Sequence, residues 1–391
     1  ALMEGVEDIP GSALAEGITW GWETFPEYLA ALEKMPRSVD VAAQIPHGAV
    51  RAYVMGERAN DRTATAADIA AMAAIVEEGM RAGALGFSTS RTILHRAKDG
   101  VPVPGTWADA AELEAIAAAM GRAGHGVFEL ASDMAPAADE FAWMRRIARD
   151  SGVPVTFGML QSPLQPNAWR EMLKLATQAN DDGANLYAQI AIRPTGLVLG
   201  WESTVNPFSF QPSYQAIAQL PLKERLERLR DPEVRARIIA ERPPIEGELA
   251  VLRMILAQGF DRMFRLMTAN GPDYEPAPDA SVAAEAKRTG QDPRAIVYDM
   301  LMENGGRGYV YLPLLNYAEF NFDHIHEMLQ SDRTVLSLSD GGAHCGVICD
   351  ASFPTYLLTH WVRDRARGKR ITLEQAVKRQ CHDTARLYGL H

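Results

Sequence analysis

The stretch D-I-A-A-M-A-A-I-V-E-E-G-M-R-A-G-A-L-G-F-S-T-S, Asp68 to Ser90, sets the fold class. Ile69, Met72, Ala73, Val76 and Met80 fall on one side of a 3.6-residue period, which predicts a helix over 68–81. Thr65 stands in front as its N-cap and Gly83 behind as its stop. The chain then turns directly into A-L-G-F-S-T, a predicted strand over 84–89. The same unit recurs three times. Helix 109–122 is closed by Gly124 and feeds strand 127–131. Helix 140–150 is closed by Gly152 and feeds strand 153–160, and helix 168–182 is closed by Gly183 and feeds strand 186–192. Helix, glycine and strand in succession define a parallel α/β sheet. The spacing of about 30 to 40 residues suits one unit of a (β/α)8 TIM-type barrel, which needs about 250 residues. A doubly wound open sheet is the competing architecture. No G-x-G-x-x-G loop follows any strand, and polar residues recur at the strand ends, which favours the barrel.

Strand 41–45, ending at Pro46-His47-Gly48, precedes these units. The run T-V-L-S-L-S-D-G-G-A-H, Thr334 to His344, follows them as strand 334–339. That count gives an incomplete barrel of about six strands, with the missing pair expected before Ala1. Residues 200–305 are richer in proline and charge, with a charged helix pair over 220–242 and a proline-marked loop over 271–278. They read as a helical insertion before the last strand rather than a separate domain, so 1–391 is one partial barrel domain. An extra strand is expected over 308–312, and a final helix over 373–387.

Composition narrows the function classes. The 391 residues are 47% hydrophobic and 23% charged, an ordinary globular balance. A net charge of −11 with no long basic run argues against nucleic acid or an anionic membrane as partner. No apolar run approaches the roughly 18 residues of a membrane span. Three cysteines, Cys345, Cys349 and Cys381, suit a reducing, cytoplasmic compartment, and the Cys345/Cys349 spacing is too loose for a zinc-site reading. Self-association as a homo-oligomer is left open.

Chemistry is expected at the carboxyl ends of the strands. Asp340 stands where the last strand runs out, before two glycines that permit close approach of a ligand. Glu129 lies inside V-F-E-L-A, where an ionised carboxylate needs a cation or a metal; a salt bridge to Arg91 or Arg193 is the alternative. Arg91 and Arg193 follow strand ends as a clamp for a substrate carboxylate would. His95 and His47 follow strands as well, although His47 after a proline reads more readily as a structural residue. There is no G-x-S-x-G, H-E-x-x-H or P-loop.

G-A-L-G-F-S-T-S (Gly83 to Ser90), P-H-G-A-V-R-x-Y-V-M-G (Pro46 to Gly56) and S-D-G-G-A-H (Ser339 to His344) together resemble the N-acyl-D-amino-acid deacylase branch of the amidohydrolase superfamily. The resemblance covers nearly the whole chain. It implies a zinc-dependent hydrolase on a (β/α)8 barrel with an accessory β-sandwich, acting on a small N-acyl amino acid, with Asp340 as the proton carrier. It places the first-strand H-x-H, a cysteine and the sandwich outside this chain, so that the 391 residues alone are expected to be inactive. It also sets histidines near Ala131 and Met159, where this sequence has none. Glu129 and His344 are then the expected metal donors, and Arg91, Arg193 and His95 the substrate contacts. The alternative is a non-catalytic barrel that binds a small acidic ligand.

Overall fold

A computed structural model describes the chain except Ala1, Asp8, Ala135, Glu248, Leu249, Asp340 to Cys345, Cys349 and His391. Six parallel strands build its main sheet: β1 (Gln44–Pro46), β2 (Gly86–Arg91), β3 (Val127–Ser132), β4 (Val155–Gly158), β5 (Leu186–Ile190) and β11 (Thr334–Leu336), in the order β1-β2-β3-β4-β5-β11. Consecutive strands pair as neighbours because each returns over a helix, as predicted. Those helices span Ala66–Arg81, Ala110–Ala123, Ala137–Ser151 and Ala168–Asp181. The first starts on a reciprocal cap between Thr65 and Asp68. The second and third stop at Gly124 and Gly152, whose φ angles of 84° and 72° are open to glycine at little cost.

The two faces of the sheet differ. Phe87, Phe128, Leu130, Phe157, Leu186 and Ile190 are buried beneath the helices in one continuous core. The alternate positions, Ser88, Ser90, Glu129, Tyr187 and Gln189, face the other way and are only partly buried. A parallel sheet with a polar second face is consistent with an incomplete TIM-type barrel. The final helical run, Leu373 to Leu387 with a π-wound middle, ties the sheet's two edges. Arg379 donates to Thr334 on β11, and Gln44 on β1 donates to the Tyr388 hydroxyl at 3.1 Å.

The predicted strand over 41–45 is displaced. Only Gln44 to Pro46 pair with β2, and His47 opens a helix to Met55. His47, Val50, Arg51 and Met55 are its buried residues, a helical spacing that the Pro-His-Gly turn signal masks.

A second sheet combines strands from within and on either side of the segment read as an insertion over 200–305. β6 (Thr195–Leu199), β7 (Phe264–Arg265) and β10 (Val310–Leu315) run antiparallel with β10 in the centre, and a small hairpin joins β8 (Met267–Thr268) to β9 (Gly271–Pro272). The strand expected over 308–312 is thus β10, outside the barrel sheet. The charged helix pair forms as Leu222–Leu229 and Pro232–Ala240. A second core gathers Trp201, Phe208, Tyr214, Val297, Tyr298 and Leu301. Trp201 stacks on Tyr214 at 5.4 Å and meets the edge of Tyr298 at 5.3 Å, geometry that adds to the area buried.

Candidate active site

The strand ends of the main sheet are cross-linked by polar side chains. At the end of β2, Arg91 forks onto Glu140, with Nε 3.0 Å from Oε2 and Nη2 3.0 Å from Oε1. Its Nη1 donates to the Ala108 carbonyl at 2.8 Å, and the guanidinium lies 5.4 Å from the Trp143 ring. Ser132 at the end of β3 donates to the same Glu140 at 3.0 Å. Arg91 therefore binds a carboxylate of its own chain and holds β2 to the helix after β3. His95, half-buried, sits with Nδ1 2.8 Å from the Ser90 hydroxyl.

Glu129 meets neither Arg91 nor Arg193. Gln189 on β5 donates to its Oε1 at 2.9 Å and to Thr156 Oγ1 at 2.9 Å, a polar bridge across three strands. An amide partner and partial exposure replace the interior salt bridge expected for Glu129. Tyr388 borders the same face; burial raises its phenol, and the charge of Glu129 acts in the same direction.

Arg193 is 2% exposed and lies between two rings, 4.0 Å from that of Tyr274 and 4.2 Å from that of Phe353. Its Nη2 is 3.3 Å from Ser352 Oγ and 3.9 Å from Asp350. A cation held this way pins the loop after β11 to the end of β5, which corrects the expectation of an open clamp for substrate.

His47 is likewise engaged. Its Nε2 is 2.6 Å from Glu112, its Nδ1 is 2.8 Å from Thr89, and Arg51 pairs with Glu112 at 2.9 Å. Burial lowers His47, against the opposing pull of Glu112. With both nitrogens hydrogen-bonded, His47 serves the fold and keeps no lone pair for a metal.

Two further clusters join residues far apart in the chain. Gln161, after β4, exchanges backbone and side-chain bonds with Asn316 and Ala318 after β10. Asn316 adopts φ 59°, a left-handed conformation that asparagine tolerates; the Leu-Leu-Asn-Tyr run after a strand is its only sequence signal. Glu275 accepts from His360 at 2.9 Å, from Arg365 at 3.0 Å and from the Phe322 amide at 3.0 Å. Burial acts to raise Glu275, but the bonds from His360 and Arg365 prevail and hold it below its ordinary value.

Where β5 and β11 end, a cleft of about 280 Å³ opens between Ile192, Leu336, Ser339, Phe353, Leu357 and Thr384. Leu338 on its wall has φ 68°, a conformation that costs a leucine about 1–2 kcal/mol. Strain of this kind collects at functional sites. Asp340 is the next residue in the chain after Ser339. Asp340 and His344 lie outside the described residues, as do Cys345 and Cys349.

Comparison with known proteins places this geometry in a family. The amidohydrolase family model matches residues 2–391. The chain belongs to the amidohydrolase family. A D-aminoacylase of Alcaligenes xylosoxydans xylosoxydans is 41% identical over 80 residues, which is 20% of this chain and 16% of that protein. An uncharacterized protein of Mycobacterium tuberculosis is 24% identical over 420 residues, covering 100% of this chain and 64% of its own length. Two solved D-aminoacylase structures share the fold. One is a mutant in complex with CuCl2, at TM-score 0.51 and 19% identity; the other, at TM-score 0.50 and 21% identity, defines a novel subset of amidohydrolases. Each covers 94% of this chain and 61% of its own, so this amidohydrolase chain spans less than two thirds of those relatives.

Members of the family are generally metal-dependent, so the donors here can be tested against a metal. Among the described residues, no three of His, Cys, Asp or Glu converge on a point that would hold one. Ala131 is partly buried at the end of β3 and Met159 is packed in the core, and neither side chain is a donor for a hard or borderline cation. Glu129 is bonded to an amide. The described donor set therefore does not fit a metal ion. No helix among the described residues is long and apolar enough to cross a membrane.

Proposed function

We propose that this amidohydrolase cleaves a linear C–N amide bond, and that its substrates are small N-acyl amino acids, of the D configuration by its likeness to D-aminoacylases. The observation that carries the reading is the cleft at the carboxyl ends of parallel strands, where this fold class gathers its chemistry, with the strained Leu338 in its wall; Asp340 comes two residues later in the sequence. Asp340 takes the proton of the attacking water on its carboxylate and delivers it to the nitrogen of the leaving amine. Arg91 and Arg193 fix the rim, through Glu140 and through the two rings. His95, bonded to Ser90 at the end of β2, is assigned to the substrate side of that rim.

A zinc ion, where bound, would supply a hydroxide at neutral pH. The described residues do not hold it, so Glu129 and His344 would be at most part of its donor set and no step here depends on it. The test is metal content of the purified protein by elemental analysis, followed by a screen of N-acyl amino acids of both hands. Release of free amino acid from at least one of them supports the hydrolase. No turnover of any, with saturable binding of the same compounds, supports a barrel that binds small acidic ligands, a reading favoured by Ala131 and Met159 standing where donors are expected.

A further inference from the structure

The antiparallel unit contains a cavity of about 190 Å³, walled by Phe210, Gln211, Arg242, Ile245, Arg253 and Arg294 among others. All its lining residues lie between positions 207 and 294, away from the strand ends of the main sheet. Among the described residues that line it there is no Asp or Glu. Three guanidinium groups thus share one small space in a chain whose net charge is −11.

The hydrogen bonds that position them leave their charge in place. Arg294 donates to the carbonyls of Glu241 at 3.0 Å and Ala257 at 3.3 Å. Arg242 donates to the carbonyls of Ile239 and Glu241 at 2.6 and 2.9 Å. Arg253 lies 4.2 Å from the Phe210 ring and points Nη1 to the Pro244 carbonyl at 3.4 Å. None of the three forms an ion pair among the described residues. Asp292, the acid nearest in charge to Arg294, is engaged with the Arg294 amide at the start of a helix. Burial and the like charge of Arg242 both push the Arg294 guanidinium down. A guanidinium carries five donors, so each group retains N–H bonds for a further acceptor.

A second observation is independent of charge. Gln211 is 5% exposed, and its amide oxygen has no hydrogen-bond partner. Arg253 Nε is buried and without one as well. Unsatisfied polar atoms inside a cavity cost about 1–3 kcal/mol each unless something fills them. A half-turn of the Gln211 amide presents N–H to the same space.

We propose that this cavity is a binding site for a compact, doubly charged oxyanion, a phosphate monoester or a short dicarboxylate. The forks of Arg242, Arg253 and Arg294 meet pairs of oxygens, Gln211 adds a donor, and Phe210 and Ile245 cover a short carbon skeleton. The two negative charges of such a ligand offset most of the like charge that the fold has brought together.

The experiment is isothermal titration of the purified protein with inorganic phosphate and, separately, with succinate, at low and high sodium chloride. Saturable one-to-one binding of either anion is expected, weakened at least tenfold in the double variant Arg242→Gln, Arg253→Met and weakened by salt. Phosphate alone binding marks a phosphate ester as the ligand, and succinate alone marks a dicarboxylate. Arg294 is left intact because its carbonyl bonds tie together segments far apart in the chain, whereas those of Arg242 are local. Failure of both anions to bind, or equal binding by the double variant, overturns the proposal. If the double variant does not fold, crystals of the unaltered protein grown in phosphate decide. Density between the three guanidinium groups is expected, and an empty cavity overturns the site.

Discussion

The two sheets solve opposite problems. The parallel sheet buries one face under helices and keeps the other lined with Ser88, Glu129, Thr156 and Gln189, so its polar groups bond to one another across strands. The antiparallel unit packs Trp201, Phe208, Tyr214 and Tyr298 into a buried aromatic cluster and gathers Arg242, Arg253 and Arg294 around a separate cavity. Polar groups on one face of a parallel sheet suit the proposed chemistry, whereas stacked rings are a source of stability. Mutations in the two regions should therefore separate turnover from melting.

The aromatic cluster gives the largest expected effect on stability. Trp201→Ala removes a fully buried indole and should cost about 3 to 5 kcal/mol. Denaturant titration checks this, with turnover per folded molecule unchanged. A loss of turnover at unchanged stability would erase the contrast between the regions.

Arg365→Met comes next, because it strips Glu275 of its bidentate partner while the carboxylate stays buried. Breaking such a pair costs about 3 to 5 kcal/mol in a well-enclosed case, and His360 and the Phe322 amide, which remain, set the loss nearer the lower end. Glu275→Gln with Arg365→Met together should lose less than Arg365→Met alone, since no charge is then left unpaired.

A third effect depends on pH. His324, on the helix Asp323–Leu329, is 1% exposed with neither ring nitrogen hydrogen-bonded, and burial lowers its pKa from 6.5 to about 4. The unfolded chain takes up the proton first as pH falls, so this histidine's contribution is complete above pH 6.5 and drains away down to about pH 4. The slope is about 1.4 kcal/mol per pH unit over that window, an upper figure of about 3 kcal/mol. Unfolding free energies at pH 7 and pH 4.5 should differ less in His324→Phe than in the unaltered protein. Equal differences would show that other groups carry the acid sensitivity.

The smallest effect belongs to Glu129→Gln. Its partner is the Gln189 amide rather than an arginine, so the fold should change by less than about 1 kcal/mol. A much larger loss would mean that the inner face of the parallel sheet is a structural core after all.

Much of the parallel sheet was legible because helix caps and the following strands are local: Thr65 with Asp68, Gly124 before β3, Gly152 before β4. Of the second sheet only β10 was legible, as the strand expected over 308–312, because β6, β7 and β10 pair across long separations that no local signal reports. The site shows the same limit. Asp340 and Arg193 stood out by their position after strands, but position alone does not reveal that Tyr274 and Phe353 enclose Arg193. Glu275 and Arg365 lie 90 positions apart, and neither sits in a recognisable pattern. Glu112 reads as an ordinary helix-start acid until His47 and Arg51 are placed against it.

The most direct test is the turnover of Asp340→Asn on an N-acyl amino acid that the unaltered protein hydrolyses, with melting measured beside it. Removing the proton carrier should lower kcat by about 100-fold or more at an unchanged melting temperature. Turnover close to that of the unaltered protein would contradict the assignment of Asp340 and, with it, the placing of the reaction at the end of β11.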